Sequence, residues 1–257
     1  MKKILTIAGS DCSGGAGIQA DLKTISAHNL YGMSVITAIT AQNTIGVSQI
    51  LDVPTDMISA QIDAIFEDIR PDAVKIGMLS NINIIKIVVD KLKQYNATNI
   101  VVDPVMISTS GSKLLSDDAI NMVISELIPL GMLITPNKLE AEVLCGFSVQ
   151  NDEDMIKSAN KILSLGAKNV LIKGGHIGEL ANDLLVTDNN SIWFKADRIK
   201  NPNTHGTGCT LSSAIACNLG KDLSLMDSVN NAKMYITKAI EYKLDLGSGQ
   251  GPLWHNV

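Results

Sequence analysis

Long hydrophobic runs, clusters of basic residues and closely spaced cysteines are all missing from this 257-residue sequence. Its longest apolar runs, such as 35–41, fall far short of the roughly 20 residues that cross a bilayer, so no membrane partner is expected. The formal net charge is −5 and no basic run occurs. Nucleic acid is therefore not an expected partner, because its phosphates are bound by clustered lysine and arginine.

The cysteines and histidines show neither a disulfide framework nor a zinc-binding pattern. The four cysteines lack C-x-x-C spacing, and the four histidines lack an H-E-x-x-H motif. The apolar start Ile4–Ala8 stops at Gly9, which is too short for the roughly 7–15 apolar residues of a signal peptide. A cytoplasmic location is the expectation.

Short apolar runs alternate with segments of helical periodicity along the chain. A composition of 46% hydrophobic and 18% charged residues supports a folded core, and no linker divides residues 1–257, so one domain is expected. Buried strands are predicted at 4–8, 34–40, 73–76, 100–102, 132–134 and 170–172. Helices are predicted at 18–27, 55–69, 82–93, 117–127, 138–144, 153–165, 209–219 and 226–241.

This alternation is typical of an α/β protein in which a mostly parallel sheet lies between two layers of helices, a three-layer α/β/α sandwich. The polar turn 188–191 between Leu184–Thr187 and Ile192–Lys195 predicts a late β-hairpin. In such folds ligands bind beyond the carboxyl ends of the strands, so the residues that follow each strand are the candidate site.

Two of these segments suit a small organic ligand. The loop 9–17 after the first strand is rich in glycine, but Gly15 stands where a phosphate-binding P-loop needs lysine. Asp21 follows in the next helix, either as a ligand or as a solvated carboxylate. Gln42 follows the second strand, and its amide can donate and accept hydrogen bonds along a ring edge.

Three further segments suit a phosphorylated ligand. Asp103 follows a strand, and Glu140 lies in the first turn of a helix, so both can hold Mg²⁺ through water. Lys173 precedes Gly174-Gly175-His176 and can offset phosphate charge.

The most specific segment is Thr204-His205-Gly206-Thr207-Gly208-Cys209-Thr210, which opens a late helix. We call the four residues 206–209 the anion nest. Two glycines let consecutive backbone N–H groups point outward at a helix N-terminus, where they can stabilise a transferring phosphoryl group. The pKa of the Cys209 thiol is expected to be lowered at this helix start.

Taken in order, these segments resemble the ribokinase superfamily, and within it the hydroxymethylpyrimidine/phosphomethylpyrimidine kinases of thiamine biosynthesis. The similar stretches extend across nearly the whole chain: 5–11, 14–24, 37–44, 75–79, 103–106, 135–137, 173–176 and 204–210. The resemblance implies a ribokinase-like fold, ATP and Mg²⁺, and a homodimer. It also implies phosphorylation of hydroxymethylpyrimidine and then of its monophosphate.

The resemblance also implies a role for each matching residue. The substrate-binding residues would be Gly9, Ala16, Asp21, Gln42, Met78 and Val105, and the ATP-binding residues Asn137, Lys173, Thr204 and Gly208. Asp103 and Glu140 would hold the metal. Catalysis would fall to Lys173, Gly206, Thr207, Gly208 and Cys209, with Cys209 either accepting the substrate proton or shaping the anion nest.

Three other functions share this scaffold or parts of the site. A pyridoxine/pyridoxal kinase is the nearest alternative, although Gln42 and the anion nest favour a pyrimidine. A nicotinamide-hydrate dehydratase should lack the surroundings of Gln42 and Asp21. A pyrimidine-binding module without activity would have no need for an anion nest.

Overall fold

The computed structural model describes residues 1–107, 114–175, 177 and 180–257. The strands of this part of the chain are β1 (Lys3–Asp11), β2 (Tyr31–Gln42), β3 (Val47–Asp52), β4 (Ala73–Ile76), β5 (Ile100–Val102), β6 (Leu133–Ile134), β7 (Asn169–Ile172), β8 (Asp183–Thr187) and β9 (Ser191–Phe194).

The helices are α1 (Gly17–Ala27), α2 (Thr55–Asp68), α3 (Ile82–Gln94), α4 (Asp117–Met122), α5 (Lys138–Cys145), α6 (Asp152–Ser164), α7 (Thr207–Gly220) and α8 (Leu225–Glu241). A π-helical segment, Val123–Leu127, and a 3₁₀ turn, Ile128–Leu130, extend α4. No described helix has the length and hydropathy needed to span a membrane.

All the described strands belong to one sheet with the order β3-β2-β1-β4-β5-β6-β7-β8-β9. The six strands from β2 to β7 in that order are parallel. At one edge β3 pairs antiparallel with β2, and at the other β8 pairs antiparallel with both β7 and β9. After β1 the chain moves outward to β2 and then crosses back to β4. Loops diverge at this reversal, and a ligand crevice opens beyond the carboxyl ends of β1 and β4.

Helices cover both faces of the sheet. One apolar core packs α2 to α6 against side chains such as Leu5 and Ile7 of β1, and the other packs α1, α7 and α8 against side chains such as Ile4. Burial of aliphatic side chains of this size stabilises a fold by about 1.5–3 kcal/mol each. Helix α7 is buried along residues 210–220, so its N-terminus is held firmly at the crevice.

The predicted three-layer arrangement and the late hairpin are confirmed, the hairpin as β8 and β9. Strand β3 was not predicted. It pairs with the end of β2, and all six of its residues are exposed, so it lacks the alternation of buried and exposed positions that marks a strand in a sequence.

Candidate active site

The anion nest lies at the start of α7, and this helix begins at Thr207, two residues earlier in the chain than the sequence predicted. Gly206 is the N-cap, with φ +81°, and a Cβ there would collide with the carbonyl oxygen of Gly15. Thr204 closes the turn by accepting hydrogen bonds from the N–H and hydroxyl of Thr207. No side chain caps α7, so N–H groups of its first turn remain available to an anion.

Lys173 lies beside this first turn. A Cβ built on Gly208 would be 3.1 Å from Lys173 Nζ and 3.5 Å from Asp103 Oδ2, so a larger residue at position 208 would press on both groups. Lys173 Nζ donates to Asp103 Oδ1 at 2.7 Å and lies 4.0 Å from Glu140 Oε2. The predicted phosphate-binding lysine and the two predicted metal ligands therefore form one cluster. His176 lies outside the described residues.

Glu140 is held in this cluster by a capping box. Asn137, the N-cap of α5, accepts from the Glu140 N–H at 3.0 Å, and Glu140 accepts from the Asn137 N–H at 2.8 Å. Burial and the nearby Asp103 charge raise the pKa of Glu140, Lys173 opposes them, and the net effect is a pKa raised to about 7. Burial lowers the pKa of Lys173, but Asp103 and Glu140 outweigh burial and raise it above the ordinary value.

Cys209 is half-buried in the anion nest, and the expectation of a lowered pKa is wrong. Burial raises the pKa of its thiol to about 11, against the lowering effects of Lys75 and of a hydrogen bond from the Gly17 N–H. The helix N-terminus favours a thiolate, but loss of hydration is the larger effect here. At neutral pH Cys209 therefore carries its proton.

Asp21 lies beneath the crevice, with no exposed surface. Its carboxylate accepts from Lys75 Nζ at 2.9 Å on both oxygens, from Thr6 at 2.6 Å and from Ser213 at 2.7 Å. Lys75 is equally buried, and although burial lowers its pKa, the neighbouring groups, Asp21 foremost and then Cys209 and Asp103, together outweigh burial and raise it. The pair joins α1 to β4, and the hydroxyls attach β1 and α7 to it.

Lys75 is a site residue that the sequence analysis did not single out. Its signal was available, because Lys75 is the only charged residue in the strand Ala73–Ile76, all of which is buried. A lysine in such a strand needs a buried partner. Nothing in the sequence indicated that this partner is Asp21, which is 54 residues away.

The remaining predicted substrate residues lie at or just beyond the ends of β1, β2, β4 and β5, apart from Ala16, which is the N-cap of α1. The methyl group of Met78 lies over Gly9, Ala16 packs near Gly206, and Val105 lines a small recess with Asp103. Gln42 ends β2 and is half-buried, and its amide lies 3.2 Å from the ring of His205. His205 also contacts Asp11 at 2.8 Å, and neither residue was predicted to have a role.

A sequence model of the phosphomethylpyrimidine kinase family matches residues 11–254 of this chain. The chain belongs to that family. A relative in Rhizobium meliloti (strain 1021), named hydroxymethylpyrimidine/phosphomethylpyrimidine kinase, is 49% identical over 98% of this chain and 96% of its own length. The resemblance inferred from the sequence motifs is thereby confirmed.

Two solved structures show the same fold. The phosphomethylpyrimidine kinase of Clostridium difficile 630 is 51% identical, with a TM-score of 0.85 over 93% of this chain and 100% of its own. A pyridoxal kinase of Bacillus subtilis, solved as an ADP complex, is 39% identical, with a TM-score of 0.93 over 99% of this chain and 97% of its own. The predicted ribokinase-like fold is confirmed.

Replacing Lys75 by methionine should destabilise the protein strongly. The substitution leaves the Asp21 carboxylate buried without its counter-ion, and breaking a buried ion pair in this way costs about 3–5 kcal/mol. Urea unfolding followed by circular dichroism measures the loss. Lys86→Met is the matched control because Lys86 pairs with Asp90 on the exposed surface of α3, and its unfolding midpoint should stay close to that of the wild type. Equal midpoints for the two variants would contradict this account.

Alkylation of Cys209 should be slow at neutral pH and should accelerate up to about pH 11, because only the thiolate reacts. Iodoacetamide labelling with peptide mass spectrometry measures the rate at each pH. The exposed Cys12 is labelled in the same sample and reports that the reagent is active. A Cys209 rate that already levels off at neutral pH would contradict the raised pKa.

Proposed function

We propose that this chain transfers a phosphoryl group from ATP to the hydroxymethyl group of 4-amino-5-hydroxymethyl-2-methylpyrimidine. In a second reaction it phosphorylates the monophosphate to the diphosphate, as thiamine biosynthesis requires. One observation carries the proposal: the uncapped first turn of α7, with Lys173 beside it, meets the carboxyl end of the sheet where Gln42 and Met78 lie. Family membership supports the same reaction.

The positive groups of the site match what phosphoryl transfer requires. Charge develops on the oxygens of the transferring group, and catalysis depends mainly on positioning and electrostatic stabilisation. The Lys173 ammonium lies beside Gly208, so it and the N–H groups of Gly208 and Cys209 are proposed to bind one phosphoryl group together. Asn137 and Thr204, at the neighbouring loop ends, are proposed to contact the rest of the ATP phosphates.

Asp103 and Glu140 fit a magnesium ion held partly through water. Both are almost fully buried carboxylates, oxygen donors of the kind that Mg²⁺ prefers, and Lys173 is the cation that now balances them. When bound, Mg²⁺ would neutralise charge on the nucleotide phosphates. Without it, Asp103 fixes the Lys173 ammonium at 2.7 Å and keeps it directed at Gly208.

Cys209 is proposed to orient the substrate hydroxyl and to shape the anion nest. A protonated thiol donates a hydrogen bond but cannot accept the hydroxyl proton, and its pKa of about 11 opposes its loss. A largely dissociative transition state needs little help from a base. Of the two roles left open by the sequence, the raised pKa favours the structural one.

The pyrimidine is proposed to lie between apolar and polar walls. Met78, Val105, Gly9 and Ala16 would contact its ring faces and edges, and Gln42 would bind its amino edge. Asp21 has three donors and no exposed surface, so we propose that it acts from below, by holding α1, β4 and α7 in place.

A pyridoxal kinase is the second candidate. The pyridoxal kinase of Bacillus subtilis superposes well on this chain, but its identity of 39% is lower than the 42–51% of the relatives named as pyrimidine kinases. The two substrates differ at the ring edge. Gln42 offers a donor and an acceptor side by side, which suits the aminopyrimidine edge.

The decisive assay measures ATP-to-ADP conversion with Mg²⁺ for hydroxymethylpyrimidine, its monophosphate and pyridoxal, with products identified by mass. Both pyrimidines should be phosphorylated at a kcat/KM well above that for pyridoxal. Dominant turnover of pyridoxal would contradict the proposed substrate but agree with a kinase activity. ATP consumption that does not depend on any of the three would reject the function altogether.

We also propose a homodimer formed through β3. This edge strand is fully exposed and, with β2, presents Ile39, Val47, Ile50 and Leu51 to solvent. Exposed apolar edge strands favour pairing with another chain, and a second copy presents the same surface.

We propose further that residues 1–257 form a single domain and that the protein acts in the cytoplasm, where ATP is supplied.

Leu51→Asp should convert the dimer to a monomer, because it places a charge at the centre of the proposed contact. Light scattering coupled to gel filtration should give twice the mass of one chain for the wild type and the mass of one chain for the variant. Met234→Asp on α8, an equally exposed apolar position outside β2 and β3, should leave the dimer intact. A wild-type monomer would refute the proposed dimer.

A further inference from the structure

Asp11 and His205 form a nearly buried pair next to Gln42. Asp11 Oδ2 lies 2.8 Å from His205 Nε2, and the two side chains are 3% and 14% exposed. Burial raises the pKa of Asp11, but hydrogen bonds from His205, Ser13 and Ala16 outweigh burial and hold the pKa below its usual range. The Asp11 carboxylate is therefore ionised and can only accept hydrogen bonds.

This pair determines which end of the Gln42 amide faces His205. Because ionised Asp11 accepts, His205 Nε2 must carry a hydrogen. The same nitrogen lies 3.2 Å from one end of the Gln42 amide. The hydrogen on Nε2 is directed mainly at Asp11, the nearer acceptor, and a ring nitrogen that carries a hydrogen has no lone pair left to accept from the amide NH₂ group. The amide oxygen, which can share that hydrogen as a second and weaker acceptor, therefore belongs on this side; rotating the amide by half a turn exchanges its oxygen and nitrogen.

Thr40 independently favours the same orientation. Its hydroxyl donates to the carbonyl oxygen of Ser10 at 2.8 Å, which uses its single hydrogen. The hydroxyl oxygen lies 3.2 Å from the other end of the Gln42 amide. That end must then be the NH₂ group, which donates to Thr40. Both neighbours are satisfied by one orientation only.

The backbone of Gln42 is fixed as well. The Cys12 thiol donates to the Gln42 carbonyl at 3.1 Å, and the Gln42 N–H donates to Cys12 Sγ at 3.3 Å. Two residues on, Thr44 accepts hydrogen bonds from the Gly249 and Gln250 N–H groups of the C-terminal loop. The orientation of the Gln42 amide is therefore the remaining variable at this position.

We propose that Asp11 and His205, together with Thr40, are positioning residues that lock the Gln42 amide and thereby make the pocket selective for a 4-aminopyrimidine over a pyrimidin-4-one. The inference rests on the proposed function. The locked amide keeps one lone pair on its oxygen and one N–H free for a ligand. An exocyclic amine donates to that oxygen, while the adjacent ring nitrogen accepts from that N–H.

A pyrimidin-4-one presents the reverse pattern. Its ring N–H donates and its exocyclic oxygen accepts, so it matches only an amide turned by half a turn. That turn would place the Gln42 NH₂ against the His205 donor and the Gln42 oxygen against the occupied hydroxyl of Thr40. The locked amide also directs the amine, and with it the neighbouring hydroxymethyl group, toward His205 and the start of α7.

The test compares kcat/KM for 4-amino-5-hydroxymethyl-2-methylpyrimidine with that for its 4-oxo analogue. Mismatched polar groups should give the wild type a preference of about 100-fold for the amine. His205→Phe keeps the ring packed near Gly15 and removes the donor, so the preference should fall about tenfold. His205→Gln restores a donor and should keep the preference within about threefold of the wild type.

A double-mutant cycle shows whether His205 acts through Gln42. In a Gln42→Met background, His205→Phe should change the preference no further, whereas a general structural role would add its effect in both backgrounds. The KM for ATP should stay within about twofold throughout. An unchanged preference in His205→Phe, or an equal drop in the Gln42→Met background, would overturn the inference.

A second variant and a comparison of substrates keep the test decisive. If His205→Phe does not fold, Thr40→Val tests the lock from the other end of the amide and should also lower the preference. If the wild type phosphorylates pyridoxal and neither pyrimidine, the proposed function fails. If it phosphorylates the 4-amino substrate but accepts the 4-oxo analogue equally well, the function stands and this inference fails.

Discussion

Lys75 and Asp21 hold opposite charges where water is excluded, and four elements of the fold meet at that pair. Asp21 belongs to α1, Lys75 to β4, and the hydroxyls of Thr6 and Ser213 bring in β1 and α7. Each element then continues into a part of the site: the glycine loop before α1, Met78 after β4, and the anion nest at the start of α7. A buried charge tolerates little displacement of its partner, so the pair sets the distances between these parts.

A second charged cluster, formed by Asp103, Glu140 and Lys173, meets a different demand. It has to bind a highly charged nucleotide. In the absence of the nucleotide, the repulsion between the Asp103 and Glu140 carboxylates must not disrupt the cluster. Lys173 meets that demand because it already balances two carboxylates, and the raised pKa of Glu140 leaves a proton available as a further balance. Neutral preorganisation of this kind lets charge enter the site with little rearrangement of the protein.

Local sequence signals were sufficient for most of the fold. The bounds of β4 and β5 were predicted to the residue, and Glu140 lies in the first turn of a helix, as predicted. Strand β3 was missed because none of its residues is buried, and the start of α7 was placed late because glycines obscure a helix N-terminus. Hydrophobic periodicity indicates which residues are buried, but it does not indicate which strands pair when their residues are exposed.

The errors at the site have a different origin. The sequence suggested a lowered pKa for Cys209 because it shows a helix start, but the burial that reverses the shift comes from distant segments. Lys75 and Asp21 are 54 residues apart, and Asp11 and His205 are 194 apart, so neither pairing leaves a local signal. The sequence motifs therefore did not predict the interactions between charged groups that are distant in the chain.

The central position of α7 has a consequence for how the protein is made. Of the described strands, β1 is synthesised first and lies inside the sheet, yet α7, which packs against β1 through Gly220 and Ile4, is synthesised after all of these strands. Until the ribosome has passed Gly220, the sheet lacks this cover and Asp21 lacks Ser213. A nascent chain therefore exposes this apolar sheet face until α7 and α8 have been synthesised and pack against it.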